Sequence, residues 1–175
     1  MCAARKIKLF GFDVDGTLTS GMLIFNSLGE CHKVFNVQDG MGITIARKLG
    51  YKVVFITGRQ SPMVEARAKE LHVDQLIMGC VDKVEAMDSI RQAWNLEWDE
   101  IAYMGDDIND LALAEKVGIF AVPANACADN LALADLIMKR NGGEGAAREF
   151  IENIIRKQAR WEEACLLYTS DAADD

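Results

Sequence analysis

Carboxylates stand at two places where the chain could bring them together. Asp13 and Asp15 follow an apolar run in FDVDGTLT, and their two-residue spacing points both side chains the same way wherever strand alternation persists. Asp106, Asp107 and Asp110 follow a second apolar run in MGDDINDLAL. Parallel strands would carry both groups to one sheet edge and make an all-oxygen site suited to Mg²⁺. Taken singly, each group is also a set of turn formers and helix caps, so one group alone leaves that reading open. A calcium loop is excluded, because counting from Asp13 the glycine falls at position four and Ile24 occupies the place a bidentate glutamate must take.

Two further segments supply complementary chemistry. Thr57-Gly58-Arg59 offers a hydroxyl, a backbone N–H left open by glycine, and a guanidinium able to grip oxyanions through two bonds. Lys83 follows Val81-Asp82 and adds an ammonium. A lone lysine beside an aspartate is usually a solvated pair. Together, hydroxyl, amide, ammonium and a divalent ion describe a site for a phosphoryl group.

These residues need a scaffold that aligns strand ends. Ile7 to Phe12 is a compact apolar run, and runs of the same type recur at Val53–Ile56, Gln75–Met78, Ile101–Met104 and Ile119–Val122. Helical signals alternate with them. Ser61-Pro62 predicts a cap and first turn before Val64, Ala68 and Leu71, which share one face. Val84, Met87, Ile90 and Trp94 repeat the spacing, and Asp39 is expected to cap a helix that Gly50 ends. Such alternation predicts a parallel sheet with helices on both faces. Leu23–Val37 breaks the pattern, since LIFNSLGECHKVFNV holds two β-prone runs around Ser27-Leu28-Gly29 and reads as a hairpin overhanging the strand ends. A last helix is expected over about Glu144 to Trp161. One domain over 1–165 follows, with 166–175 (LLYTSDAADD) a disordered or non-native tail.

Composition narrows the partners. The 175 residues carry 19 Lys and Arg against 27 Asp and Glu, a net charge of −8. No basic run is present to neutralise nucleic-acid phosphates, and no apolar run approaches the roughly 18 residues that span a bilayer. The N-terminal MCAARKIKLF has no apolar run ending in a small-residue cleavage site, so a cytoplasmic protein is expected. Five scattered cysteines without a CxxC pair, most of them expected to be buried, point to neither a disulfide framework nor zinc. His32 and His72 lack metal-ligand spacing.

The set DVDGT (Asp13–Thr17), ITG (Ile56–Gly58), Lys83 and GDDIND (Gly105–Asp110) resembles the four motifs of the haloacid dehalogenase (HAD) superfamily of phosphohydrolases, in family order and across most of the chain. The resemblance implies a Rossmann-like α/β sheet and hydrolysis of a phosphomonoester through an aspartyl phosphate. It makes Asp13 the nucleophile and Asp15 the acid that protonates the leaving alkoxide, then the base that activates water. It places Mg²⁺ between the Asp13 carboxylate, the Asp15 backbone carbonyl and the Asp106 carboxylate, with Thr57, Gly58 and Lys83 on the phosphoryl group. Asp107, Asn109 and Asp110 would stand behind the metal ligands, helix capping being the alternative for Asp107 and Asp110.

Members of this superfamily usually choose substrates with an inserted cap domain. Here 39 residues separate Thr17 from Thr57 and 25 separate Thr57 from Lys83, too few for a cap. With its hairpin, TGR and Gly142–Glu149 (GGEGAARE), the chain resembles the capless phosphatases that act on 3-deoxy-D-manno-octulosonate 8-phosphate (KDO 8-phosphate) in lipopolysaccharide biosynthesis. That resemblance implies a homotetramer with shared active sites and a small phosphorylated sugar acid as substrate, with no nucleic acid or membrane partner. Arg59 would meet the sugar-acid carboxylate, and Arg148 would add a second cationic contact unless it pairs with Glu144 or Glu152 on its helix. A nonulosonate 9-phosphate is the alternative substrate, and a silent oligomerisation domain the alternative role.

Overall fold

A computed structural model describes residues 3–169, apart from the side chains of Glu30, Cys31 and Thr169. Six parallel strands form the main sheet: β1 (Leu9–Phe12), β4 (Lys52–Ile56), β5 (Gln75–Ile77), β6 (Ile101–Met104), β7 (Ile119–Val122) and β8 (Leu136–Ile137), in the order β5-β4-β1-β6-β7-β8. The central strand β1 pairs with β4 on one side and β6 on the other, so Phe10 faces Val53 and Ala102 in register. The chain reverses its direction of travel across the sheet at β1, and the carboxyl end of such a strand is where open α/β sheets bind ligands. A separate antiparallel hairpin, β2 (Ile24–Asn26) and β3 (Gly29–His32), follows β1 directly, as its composition predicts.

Strand alternation builds two cores. Phe10 and Phe12 face helices α1 (Val37–Lys48) and α6 (Ala146–Lys157), where Phe150 meets both rings edge-on at 5.6 and 6.1 Å between centroids. Ala147, Phe150, Ile151, Ile154 and Ile155 form the buried stripe of α6 at the spacing one helical face requires. On the other face Leu9, Tyr103 and Phe120 pack with Met87 of α3 (Lys83–Ala93) and Leu113 of α4 (Leu111–Ala114). Helix α2 (Pro62–Glu70) buries Val64 and Ala68 as predicted, but the Ser61 hydroxyl at its N-cap position makes no capping bond. A short α5 (Ala128–Leu133) precedes β8, a two-residue strand too brief to leave a periodic signature.

Three expectations are corrected. The helix expected over about Glu144 to Trp161 is present as α6 but ends at Lys157, because Ala159 adopts φ 58° and turns the chain into a further helix, α7 (Trp161–Thr169), where Trp161 lies under the Arg156 guanidinium at 4.3 Å. Residues 166–169 therefore continue a helix that packs Ala164 and Leu167 on the core rather than beginning a disordered tail, while 170–175 lie outside the described residues. The free cysteines Cys80 and Cys127 are half-buried and Cys165 is exposed, not buried as expected. Among the described residues no helix is long and apolar enough to cross a membrane.

Candidate active site

The site is assembled from loops at the carboxyl ends of β1, β4, β5 and β6. Beyond β1 the ladder continues one residue further, the Asp13 N–H donating to the Met104 carbonyl at 2.9 Å, which fixes Asp13 at the sheet edge, almost fully buried. The chain then turns tightly, with Leu18 and Thr19 N–H groups returning to the Val14 carbonyl. Gly16 makes that turn possible. It adopts φ +93°, and a Cβ there would stand 2.0 Å from Asp106 Oδ2. Gly142 braces the turn from behind so closely that its own Cβ would lie 1.7 Å from the Gly16 carbonyl oxygen.

Lys83, the first residue of α3, reaches into this edge because Asp82 caps the helix by accepting from the N–H groups of Val84 and Glu85. Its buried ammonium donates to Asp13 Oδ1 at 2.6 Å and to Asp110 Oδ1 at 2.7 Å. Burial opposes the charge of Lys83, but the two carboxylates outweigh it and raise its pKa above the ordinary value. Burial raises Asp13 to about 7, against the attraction of Lys83 and with the repulsion of Asp110 and Asp106 added. Asp106 is raised to about 6, again chiefly by burial, while the Thr17 hydroxyl that donates to its Oδ1 at 2.9 Å works the other way.

Carboxylate oxygens of Asp13, Asp106 and Asp110 lie within 4.8 Å of one another. An all-oxygen donor set in which burial raises the proton affinities of Asp13 and Asp106 is the kind of group a hard divalent cation neutralises, so these residues fit Mg²⁺. Asp110 is the least free of the three. It is wholly buried, its Oδ1 accepts from Lys83 and from the Tyr103 hydroxyl at 2.7 Å, and its Oδ2 accepts from the Asp106 N–H at 3.1 Å. Asp13 and Asp106 therefore remain as carboxylates with capacity to spare, and Asp110 holds Lys83 in place.

The remaining expected residues divide. Thr57 is buried at the end of β4, where its hydroxyl accepts from the Arg59 N–H at 3.2 Å. Gly58 has room for a side chain, its would-be Cβ meeting only the Cys80 carbonyl at 3.5 Å, so packing within the chain does not demand a glycine there. Arg59 stands with its Nε 3.9 Å from Asp15 Oδ2. Asp107 caps the short turn Ile108–Asp110 by accepting from the Ile108 N–H at 2.8 Å, which favours the capping alternative. Asn109 is exposed and makes no hydrogen bond to the carboxylate group among the described residues. Arg148 is not brought to the cluster either. Its Nε pairs with Glu152 at 2.5 Å and its guanidinium lies 5.5 Å from the Trp161 ring centroid, a helix-surface pairing.

Two polar partners stand out only in three dimensions. Tyr103 is buried in β6 and donates to Asp110; a tyrosine inside an apolar strand needs a partner for its hydroxyl, which was the available signal. Lys33, the one lysine or arginine between Leu23 and Val37, pairs with Asp15 Oδ1.

Comparison with known proteins agrees with this architecture. Residues 76–150 match the family model of haloacid dehalogenase-like hydrolases. The chain is 35% identical to the 3-deoxy-D-manno-octulosonate 8-phosphate phosphatase KdsC of Escherichia coli, over 94% of this chain and 87% of that one. It superposes on the crystal structure of the corresponding phosphatase from Moraxella catarrhalis, in complex with magnesium, phosphate and KDO, with a TM-score of 0.91 and 38% identity over 95% of each chain. The cobalt-bound enzyme of Haemophilus influenzae gives a TM-score of 0.89 at 29% identity over 97% of each chain. With its four motifs converging at the β1 switch point of a six-stranded parallel sheet, the chain belongs to the haloacid dehalogenase-like hydrolases, in the family of 3-deoxy-D-manno-octulosonate 8-phosphate phosphatases.

Proposed function

We propose that this protein hydrolyses KDO 8-phosphate to KDO and orthophosphate, with Asp13 as nucleophile and Asp15 as general acid and base. The observation that carries the reading is the buried Lys83 ammonium shared between Asp13 and Asp110, with Asp106 alongside. A carboxylate attacking a phosphate dianion meets like-charge repulsion, and fixed cations at the point of attack lower that barrier. Lys83 supplies one such charge and Thr57 a hydroxyl for the phosphoryl oxygens. Mg²⁺, held by the Asp13 and Asp106 carboxylates and the Asp15 backbone carbonyl, supplies further neutralisation of the phosphoryl charge when bound.

In the first half-reaction a carboxylate oxygen of Asp13 bonds to phosphorus and the ester P–O bond breaks. Its electron pair stays on the sugar oxygen, which takes a proton from Asp15. In the second, Asp15 takes a proton from water as the water oxygen bonds to phosphorus, and the bond from phosphorus to Asp13 breaks. Ester and water are consumed; sugar acid and orthophosphate are released.

Arg59 supports a sugar-acid substrate, since a guanidinium 3.9 Å from Asp15 Oδ2 and 43% exposed stands where a carboxylate near the leaving group would reach it. A homotetramer with shared sites is supported by the apolar side chains the hairpin leaves exposed, Phe25 and Leu28 among them. The free thiols Cys80 and Cys127 accord with action in the cytoplasm. The substrate is tested by kcat/KM for KDO 8-phosphate against nonulosonate 9-phosphates at fixed Mg²⁺, with Asp13→Asn as the inactive control. A higher value for the nonulosonates would reverse the assignment, and turnover by Asp13→Asn would remove the nucleophile.

A further inference from the structure

Asp15 is held from one side. Its Oδ1 pairs with the Lys33 ammonium, whose side chain is only 1% exposed although it leaves the open end of the hairpin. Its Oδ2 is buried and has no hydrogen-bond partner among the described residues, Arg59 Nε at 3.9 Å being too far to donate. A buried carboxylate oxygen without a partner is costly, and it persists in folded proteins chiefly where something else is meant to occupy it.

We propose that Lys33 is a positioning residue that selects Oδ2 of Asp15 as the oxygen exchanging the proton with the leaving group and with water. The inference rests on the reading of Asp15 as acid and base. An ammonium has donors and no acceptor, so an oxygen facing it cannot also carry a proton toward it. Any proton on Asp15 therefore sits on Oδ2, the oxygen left open, and Lys33 clamps the carboxyl rotation so that this oxygen stays in one place. In the first half-reaction the Oδ2–H bond breaks as the sugar O–H bond forms; in the second, Oδ2 takes one proton from water and Asp15 is restored. Neither oxidant nor co-reactant enters. Lys33 also ties the hairpin to the chemistry, because the residue that orients Asp15 is carried on the strand that leaves it.

A positioned acid matters in proportion to how badly the leaving group needs a proton. The test is kcat/KM of the Mg²⁺-loaded enzyme for substituted phenyl phosphates graded from p-nitrophenyl to unsubstituted phenyl, with Lys33→Met, Lys33→Arg and Asp15→Asn beside the parent. Because kcat/KM reports steps through departure of the first product, it isolates the protonation of the leaving oxygen. Lys33→Met should lose less than about 3-fold with p-nitrophenyl phosphate and at least about 10-fold with phenyl phosphate, approaching the pattern of Asp15→Asn, and Lys33→Arg should recover most of the loss. An equal loss along the series, or none, overturns the role of Lys33. A flat series for Asp15→Asn itself overturns the acid–base reading beneath it, which keeps the two failures apart. Should Lys33→Met not fold, Lys33→Gln runs the same comparison.

Discussion

Asp13 has to be ionised to attack phosphorus, yet its surroundings favour its proton. Burial raises its pKa from 3.8 to about 7, and the Lys83 ammonium only partly offsets this. The sign follows from linkage. An acid whose folded-state pKa lies above the unfolded value leaves stability unaffected below about pH 4, where both states are protonated. Stability is then lost progressively until about pH 7, because over that window the folded state holds the proton more tightly than the unfolded chain. Metal-free protein should accordingly lose Tm between about pH 4 and pH 7, and Asp13→Asn, neutral throughout, should match the parent near pH 4 and exceed it by roughly 3–8 °C at pH 8. Adding Mg²⁺ to the parent should raise Tm more at pH 8 than at pH 5, since the ion competes with protons for the same oxygens. Parallel melting curves for parent and variant across that range would sink the account of Asp13 as a strained residue. Asp13, Asp15, Lys83 and Asp106 are legible from sequence because their types recur just past apolar runs, and a parallel sheet gathers strand ends. Tyr103 and Lys33 are not, because each acquires its role from how the chain turns back on itself: the turn after β6 returns Asp110 to the Tyr103 hydroxyl seven residues earlier, and the hairpin returns Lys33 to Asp15.

Caps show the same limit among the elements. The sequence predicts Asp39 as a cap of its own helix, and a helix does begin there, but Asn36 performs the capping by accepting from the Gln38 N–H at 2.7 Å. Asp39 turns instead toward α6 and accepts from the N–H groups of Gly145 at 3.3 Å and Arg148 at 2.8 Å, closing the exposed donors of a helix 106 residues away. No local pattern could report that, because capping chemistry is identical whichever helix receives it. The consequence reaches the site. Helix α6 begins at the GGEG loop, and Gly142 in that loop supports Gly16, which makes room for Asp106. Asp39→Ala should cost about 1–2 kcal/mol of unfolding free energy in urea, and Asp39→Asn less, since the amide oxygen can still accept. Both variants should also need more Mg²⁺ for half-maximal activity than the parent, through the slackened Gly142–Gly16 contact. A stability loss with an unchanged Mg²⁺ requirement would confine Asp39 to α6 and refute the link to the site. The turn at Ala159 that separates α6 from α7 is equally silent in the sequence, since alanine is the best helix former and gives no sign of a left-handed turn.

At the scale of the whole molecule the decisive fact is what lies above the carboxylates. The intervals between the motifs leave no room for a cap, and the hairpin that follows β1 projects apolar side chains into solvent, Leu28 at 94% exposure and Phe25 at 58%. An isolated two-stranded hairpin is marginal in water, and one with this surface gains most of its stability by burying it. A tetramer built through the hairpins would do so and would also screen the open site, which otherwise leaves a phosphoryl group beside bulk water. The chemical groups identified here all belong to one chain, whereas closure over a large sugar acid would need neighbours. Assembly should therefore matter to substrate choice more than to the capacity to cleave phosphate esters. The double variant Phe25→Glu with Leu28→Glu places like charges on facing hairpins and should yield monomers by light scattering. Its kcat/KM for KDO 8-phosphate should fall at least about 10-fold while that for p-nitrophenyl phosphate changes less than about 3-fold, because losing closure removes binding to the distant sugar without touching the site of attack. A monomer with undiminished kcat/KM for KDO 8-phosphate would show that one chain suffices for recognition. A variant with the same mass as the parent by light scattering would show that the hairpin does not hold chains together.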